Sequence, residues 1–198
     1  LNYAKYIDIS NWISLRDQLI QFKKIHTPSD ALWWCHFENE VKEHMPELIA
    51  VFESMGLKMH QLIFFTNLKN DLTVIDHNNP SSMFIHTDRQ DDPDSKFDDV
   101  LILTDFPPTN AINIPMEYCD ESLTLFYELI DETAEDVYYP TYNCGGHDHA
   151  NVKEVFRFEL NMPAVLRINV PHAVYNPHNE PRVVATFRFY NDIEHLFN

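Results

Sequence analysis

The hydrophobic pattern changes period once, near residue 56, and that change decides what the chain can build. Before it, apolar residues recur at helical spacing: Trp12, Leu15, Leu19 and Phe22 follow Ser10 as a candidate cap, and Pro46 opens a second run of Leu48, Ile49, Val51, Phe52 and Met55 that Gly56 ends. After it the period is two. Leu57, Met59, Gln61, Ile63 and Phe65 share one side of an extended segment, turn-forming residues follow at 67–71, and a short apolar run at 72–75 completes a hairpin pattern. Further strand-like pieces fall at 83–86, 111–116, 122–129, 155–160, 164–170, 172–175 and 182–190, separated by Pro, Asn, Asp and Gly turns. This predicts a mainly β fold, an antiparallel two-sheet barrel or jelly roll, with N-terminal supporting helices in 1–56 covering one sheet of a β-rich core in 57–198. No boundary divides the 198 residues, which read as a single domain.

Composition removes several function classes. The chain has only three glycines, Gly56, Gly145 and Gly146, so the glycine-rich loops that cradle phosphates in nucleotide-binding enzymes have nowhere to sit. Nothing repeats at the periods of solenoids or propellers. Asp and Glu number 31 against 14 Lys and Arg, a formal charge of −17, and the basic residues form no run, so the electrostatics argue against nucleic acid as a partner. Cys35, Cys119 and Cys144 form no CxxC pair, no apolar leader with basic flanks opens the chain, and no apolar run approaches the ~20 residues of a membrane helix. The expectation is a soluble protein of a reducing, cytoplasmic compartment. Because the sequence starts at Leu1, the missing leader weighs little.

Eleven histidines among so many acids raise the question of a metal site, but His-x-Asp/Glu occurs three times and is little enriched over composition. Context separates the three. His36 follows Trp33-Trp34-Cys35, two tryptophans that read as core or helix-on-sheet packing, and His178 lies in a turn between Pro177 and Pro181. His86-Thr-Asp88 instead closes the apolar run Met83-Phe84-Ile85. On an extended segment residues i and i+2 face the same way, so His86 and Asp88 can reach one ion while Thr87 points away. A third ligand is available in His172, which follows Pro171 at a strand boundary. Arg182 comes ten residues later and opens the β-branched run Arg182-Val-Val-Ala-Thr-Phe-Arg188. The same ten-residue spacing separates His147 from Arg157 and His178 from Arg188, but only His172 has strand-like sequence on both sides.

His86-x-Asp88, a distant His172 and an arginine ten residues beyond it resemble the Fe(II)/2-oxoglutarate-dependent dioxygenases, whose cupin-like double-stranded β-helix, a jelly roll, carries those groups on neighbouring strands. The resemblance covers residues 83 to 190 and is silent about 1 to 60. It implies Fe(II) held by His86, Asp88 and His172, and 2-oxoglutarate as co-substrate with its distal carboxylate on Arg182. The chemistry is coherent: two imidazoles and one carboxylate on one face of Fe(II) leave adjacent positions open for a chelating 2-oxo acid and O2, and the planar guanidinium fork binds carboxylate through paired hydrogen bonds. Arg188, on the same strand face as Arg182, is a second candidate for that carboxylate or for substrate. Thr124 and Tyr127 can complete the carboxylate pocket, and Asn113 is a candidate donor behind the metal ligands.

The implied reaction is hydroxylation of a C–H bond in a small molecule or a peptide side chain, with the loops 89–99 and 131–151 selecting the substrate. Within the second loop, Cys144-Gly-Gly-His147-Asp-His149 lacks the ligand count of a structural zinc site and reads as a flexible cover hinged at Gly145 and Gly146. Two other classes stay open: a cupin-like metalloenzyme with Mn or Zn that does not use 2-oxoglutarate, and a jelly-roll binding module without metal.

Overall fold

A computed structural model describes residues 2–88, 109–142 and 144–198; the acidic stretch 89–99 lies outside them. Helix α1 (Trp12–His26) starts at Asn11 in the left-handed region (φ 58°) with no side-chain cap, so Ser10 does not fill that role. Lys23, Lys24 and His26 in its last turn suit the negative end of the helix dipole. Helix α2 (Glu38–His44) is short. Helix α3 (Pro46–Ser54) has proline at its first turn, where no backbone donor is lost, and Gly56 at φ 74° turns the chain out of it.

The strands are β1 (Ala4–Tyr6), β2 (Trp33–Phe37), β3 (Met59–Asn67), β4 (Asn110–Glu117), β5 (Leu123–Leu129), β6 (Val137–Tyr139), β7 (Cys144–Gly146), β8 (Val152–Glu159), β9 (Ala164–Arg167), β10 (His172–Tyr175) and β11 (Arg182–Phe189). They form a six-stranded antiparallel sheet in the order β1-β9-β4-β11-β3-β2, a three-stranded antiparallel sheet β10-β5-β8, and the small hairpin β6-β7. Segment 83–88 joins the smaller sheet through one isolated bridge, His86 to His172. The mainly β, helix-supported architecture agrees with the hydrophobic pattern.

Three local expectations are corrected. Residues 72–75 are not the hairpin partner of β3, which pairs with β2 and β11 instead. The Asp71 carboxylate accepts from the backbone and hydroxyl of Thr73, and Asp76 accepts from the backbone of Asn78, so local side-chain bonds replace a ladder there. The N-terminal third is not wholly helical: β1 and β2 add an edge strand at each side of the large sheet. Trp34, on β2, is 42% exposed rather than packed in the core.

The helices pack on one face of the large sheet. Leu15, Leu19, Phe22, Leu48 and Phe52 meet Leu62, Phe64, Ile112, Ile114 and Phe187 in a continuous apolar cluster. Between the two sheets lies a second cluster of Phe126, Leu160, Ala164, Leu166 and Val184. A third, with Met83, Ile85, Leu125, Tyr127 and Ala173, covers the far face of the smaller sheet. The alternation of β11 explains the division: Phe187 points to the helices, while Val184 points between the sheets.

Phe52 is fully buried, 4.9 Å from Phe187 and 5.1 Å from Phe189 between ring centroids. Phe52→Ala should lower the free energy of unfolding by about 3–5 kcal/mol in chemical denaturation, with loss of the helix-on-sheet packing.

Candidate metal centre

His86, Asp88 and His172 come together between the sheets, with one ligand atom from each all within 4.8 Å of one another. The backbone arranges this. His86 and His172 exchange N–H···O bonds of 2.9 and 2.8 Å, and the Asp88 N–H donates to the Ile168 carbonyl at 2.9 Å. The i, i+2 alternation then turns both the His86 and Asp88 side chains toward His172, whose ring centroid lies 4.4 Å from that of His86.

The hydrogen bonds behind the rings define which nitrogen faces the site. His172 Nδ1 is 2.8 Å from the Val170 carbonyl and His86 Nδ1 is 3.3 Å from the Phe84 carbonyl. A carbonyl only accepts, so each Nδ1 carries a proton and each ring turns its Nε2 inward. His86 Nε2 lies 3.4 Å from Asp88 Oδ1. A proton or a metal cation between them satisfies both, and two imidazoles with one carboxylate form a donor set that suits a divalent metal.

Asp88 is further defined by Arg188, whose Nη2 donates to Oδ2 at 2.6 Å. One carboxylate oxygen is thus engaged by a guanidinium and the other faces the histidines. Burial pushes the Asp88 pKa up, but Arg188 and then the two histidines outweigh it and hold the carboxyl below its ordinary value, so it is ionised at neutral pH. Burial, and then the neighbouring His86, lower His172 to about 4, which keeps it neutral and able to ligate.

A pocket of about 60 Å³, open to solvent at its mouth, extends from this triad. Thr124 and Asn113 line it, as does Arg182, together with Asn67, Phe65 and Thr186. Arg182 is 2% exposed; its Nη1 donates to Asn67 Oδ1 at 2.9 Å, and its Nε is buried with no partner. Among the described residues it makes no ion pair. The Asn113 Oδ1 is also buried and unpaired. Tyr127 does not line this pocket: it lies three residues beyond Thr124 on β5, and strand alternation turns it with Leu125 to the opposite face and the third apolar cluster. Arg188 is on the same strand face as Arg182, as expected, but its guanidinium is engaged with Asp88.

The other histidines do not join the cluster. His36 is buried against Thr27 and Glu40. His147 meets the Thr87 hydroxyl at 2.9 Å, and His178 meets the Asp120 carbonyl. Loop 131–151 is less a free cover than a brace. Its hairpin β6-β7 runs along segment 83–87, with the His147 N–H on the Ile85 carbonyl at 2.8 Å. A Cβ on Gly146 would lie 2.4 Å from that carbonyl, so this glycine serves close approach rather than hinging.

Sequence reasoning missed Asn67, Asn70 and Asn176. Asn70 donates to the Val174 carbonyl and accepts from the Asn176 N–H, and Asn176 donates to the carbonyls of Asn67 and Glu180. This network ties the end of β3 to the β10–β11 connection and so sets where Arg182 begins. The only sequence signal was an excess of asparagine in two turns, which usually marks local turn chemistry.

No protein-family model matches the chain, and no curated protein matches it significantly.

In the metal-free protein the lowered His172 pKa has a definite linkage: the unfolded chain takes up a proton near 6.5, the folded one only near 4. The stability gained by keeping His172 neutral is therefore complete above pH 6.5 and lost as pH falls toward 4. The difference in unfolding free energy between the parent chain and His172→Leu should shrink over that window in denaturant titrations.

Proposed function

We propose that this chain is an Fe(II)- and 2-oxoglutarate-dependent oxygenase that hydroxylates a C–H bond of a small molecule or a peptide side chain. The observation that carries the reading is Arg182, a buried guanidinium with no acidic partner among the described residues, lining the same pocket as the His86, Asp88 and His172 cluster. An arginine cannot escape burial by losing its proton at neutral pH, so an interior one without a counter-ion calls for an anionic ligand. A dicarboxylate 2-oxo acid meets both ends of the pocket: its 2-oxo acid group suits a metal held on one face, and its far carboxylate suits the guanidinium.

The fold supports the same reading. From β3 onward the chain alternates between sheets: β3 in the large one, 83–88 beside β10 in the small one, β4 back, β5 and β8 across, β9 back, β10 across and β11 back. That alternation is what a jelly roll of the double-stranded β-helix type requires.

Fe(II) bound by the triad would supply the redox chemistry that couples oxidative decarboxylation of 2-oxoglutarate to C–H hydroxylation. The protein's own groups do the rest. The two imidazoles present unprotonated Nε2 atoms, Asp88 contributes one anionic oxygen, and Arg182 orients the co-substrate through a charge-assisted contact while Asn67 holds its Nη1. Thr124, Thr186 and Asn113 offer polar contacts along the wall. Phe65, Leu166, Ile168, Val174 and Val184 make much of the remaining lining apolar, beside Arg167, which limits water around the reacting centre.

Anaerobic titration of Fe(II)-loaded protein with 2-oxoglutarate tests this through the visible charge-transfer band of a chelated 2-oxo acid. The band is expected, and His172→Ala should abolish it. Arg182→Ala should weaken 2-oxoglutarate about a hundredfold, on the order of 2.7 kcal/mol, while sparing metal affinity. Metal binding without the band points to a cupin-like metalloenzyme that does not use 2-oxoglutarate, and absence of metal binding to a jelly-roll binding module.

A further inference from the structure

Of the two clustered imidazoles, His86 has the weaker backbone support. His172 sits within β10, paired to β5 at Phe126 and bridged to His86 on the other side. Asp88 is pinned by the Arg188 guanidinium. His86 belongs to no strand; its main chain has the single bridge to His172, and its side chain is 21% exposed, so packing alone does not set its plane.

An aromatic stack does. The Phe84 ring lies parallel to the His86 imidazole, at 5° and 4.3 Å between centroids. Tyr142 stacks on Phe84 in turn at 4.7 Å and 19°, and Tyr139 meets it edge-on at 5.0 Å and 67°. The Phe84 carbonyl is also the group that receives the His86 Nδ1–H. One residue thus touches the imidazole twice, by its ring on the face and by its carbonyl at the nitrogen remote from the cluster. The hairpin β6-β7 keeps that residue in place: the Tyr139 hydroxyl donates to the His147 carbonyl at 2.7 Å, and a Cβ at Gly146 would come within 2.9 Å of the Phe84 ring.

We propose that Phe84 is a positioning residue for His86, its ring fixing the imidazole plane and its carbonyl the tautomer, so that loop 131–151 controls metal affinity from outside the site. The inference rests on the metal-binding part of the functional reading and is independent of 2-oxoglutarate. Parallel aromatic stacking favours one ring orientation, and a ligand imidazole that rotates freely spends part of its time unable to coordinate.

The test is titration of the metal-free chain with Co(II), read by its visible d–d absorption, beside thermal unfolding of the same metal-free samples. Phe84→Leu keeps the carbonyl and an apolar side chain but loses the ring; Co(II) should bind about tenfold more weakly, with the metal-free unfolding midpoint little changed. Phe84→Tyr retains the ring and should bind as the parent does. Parental affinity in Phe84→Leu overturns the proposal, as does an equal loss in the Leu and Tyr variants, which would indicate packing and not ring orientation. If Phe84→Leu does not fold, Tyr142→Leu replaces it: weaker Co(II) binding supports the proposal and unchanged binding overturns it. A parent chain that binds no Co(II) removes the metal reading itself, and this inference with it.

Discussion

Two guanidiniums buried on one strand govern the interior of this protein. Arg182 and Arg188 are 2% and 5% exposed, and both project from β11 into the space between the sheets. Burying a cation is costly unless an anion and hydrogen bonds offset it. Arg188 has its anion in Asp88, and that ion pair draws segment 83–88 toward the large sheet. Arg182 has the amide oxygen of Asn67, makes no ion pair among the described residues, and borders an open pocket. The two arginines on one strand face thus differ in their partners: one is engaged by a carboxylate and the other lines the pocket.

The candidate metal cluster is built on the consequence. Segment 83–88 has almost no sheet of its own, yet it carries two of the three ligand groups. It is held by a bridge to His172 on one side, by the β6-β7 hairpin on the other, and by Arg188 at its end. The carbonyls of Phe84 and Val170 complete the arrangement by taking the Nδ1 protons, which turns both Nε2 atoms toward the ionised carboxylate. Such a set repels itself unless a proton or a metal ion lies within it, so the local electrostatics favour cation binding without any change of fold.

The helices take no part in this chemistry, and their function is mechanical. They cover the face of β11 opposite to the arginines, where Phe187 meets Phe52, so the same strand is anchored by an apolar contact on one side and presents its polar groups on the other. Displacing β11 would expose core and misplace both guanidiniums together.

Local pattern made much of this readable. The change from helical to two-residue period marked where helices give way to strands, and β10 was visible because Pro171 and the turn after Tyr175 delimit it. The pairing of His86 with Asp88 also followed from local geometry, since an extended segment must turn i and i+2 the same way. What depends on contacts between distant segments was not in the pattern: that 72–75 turns back on its own aspartates and does not pair with β3, and that Gly146 serves a close approach of the hairpin to segment 83–87. Arg182 and Arg188 are alike in sequence, six residues apart on one face. Only the folded chain gives Arg188 a carboxylate partner, and gives Arg182 none among the described residues, because the partner comes from residue 88, on a segment that reaches β11 only once both sheets have closed.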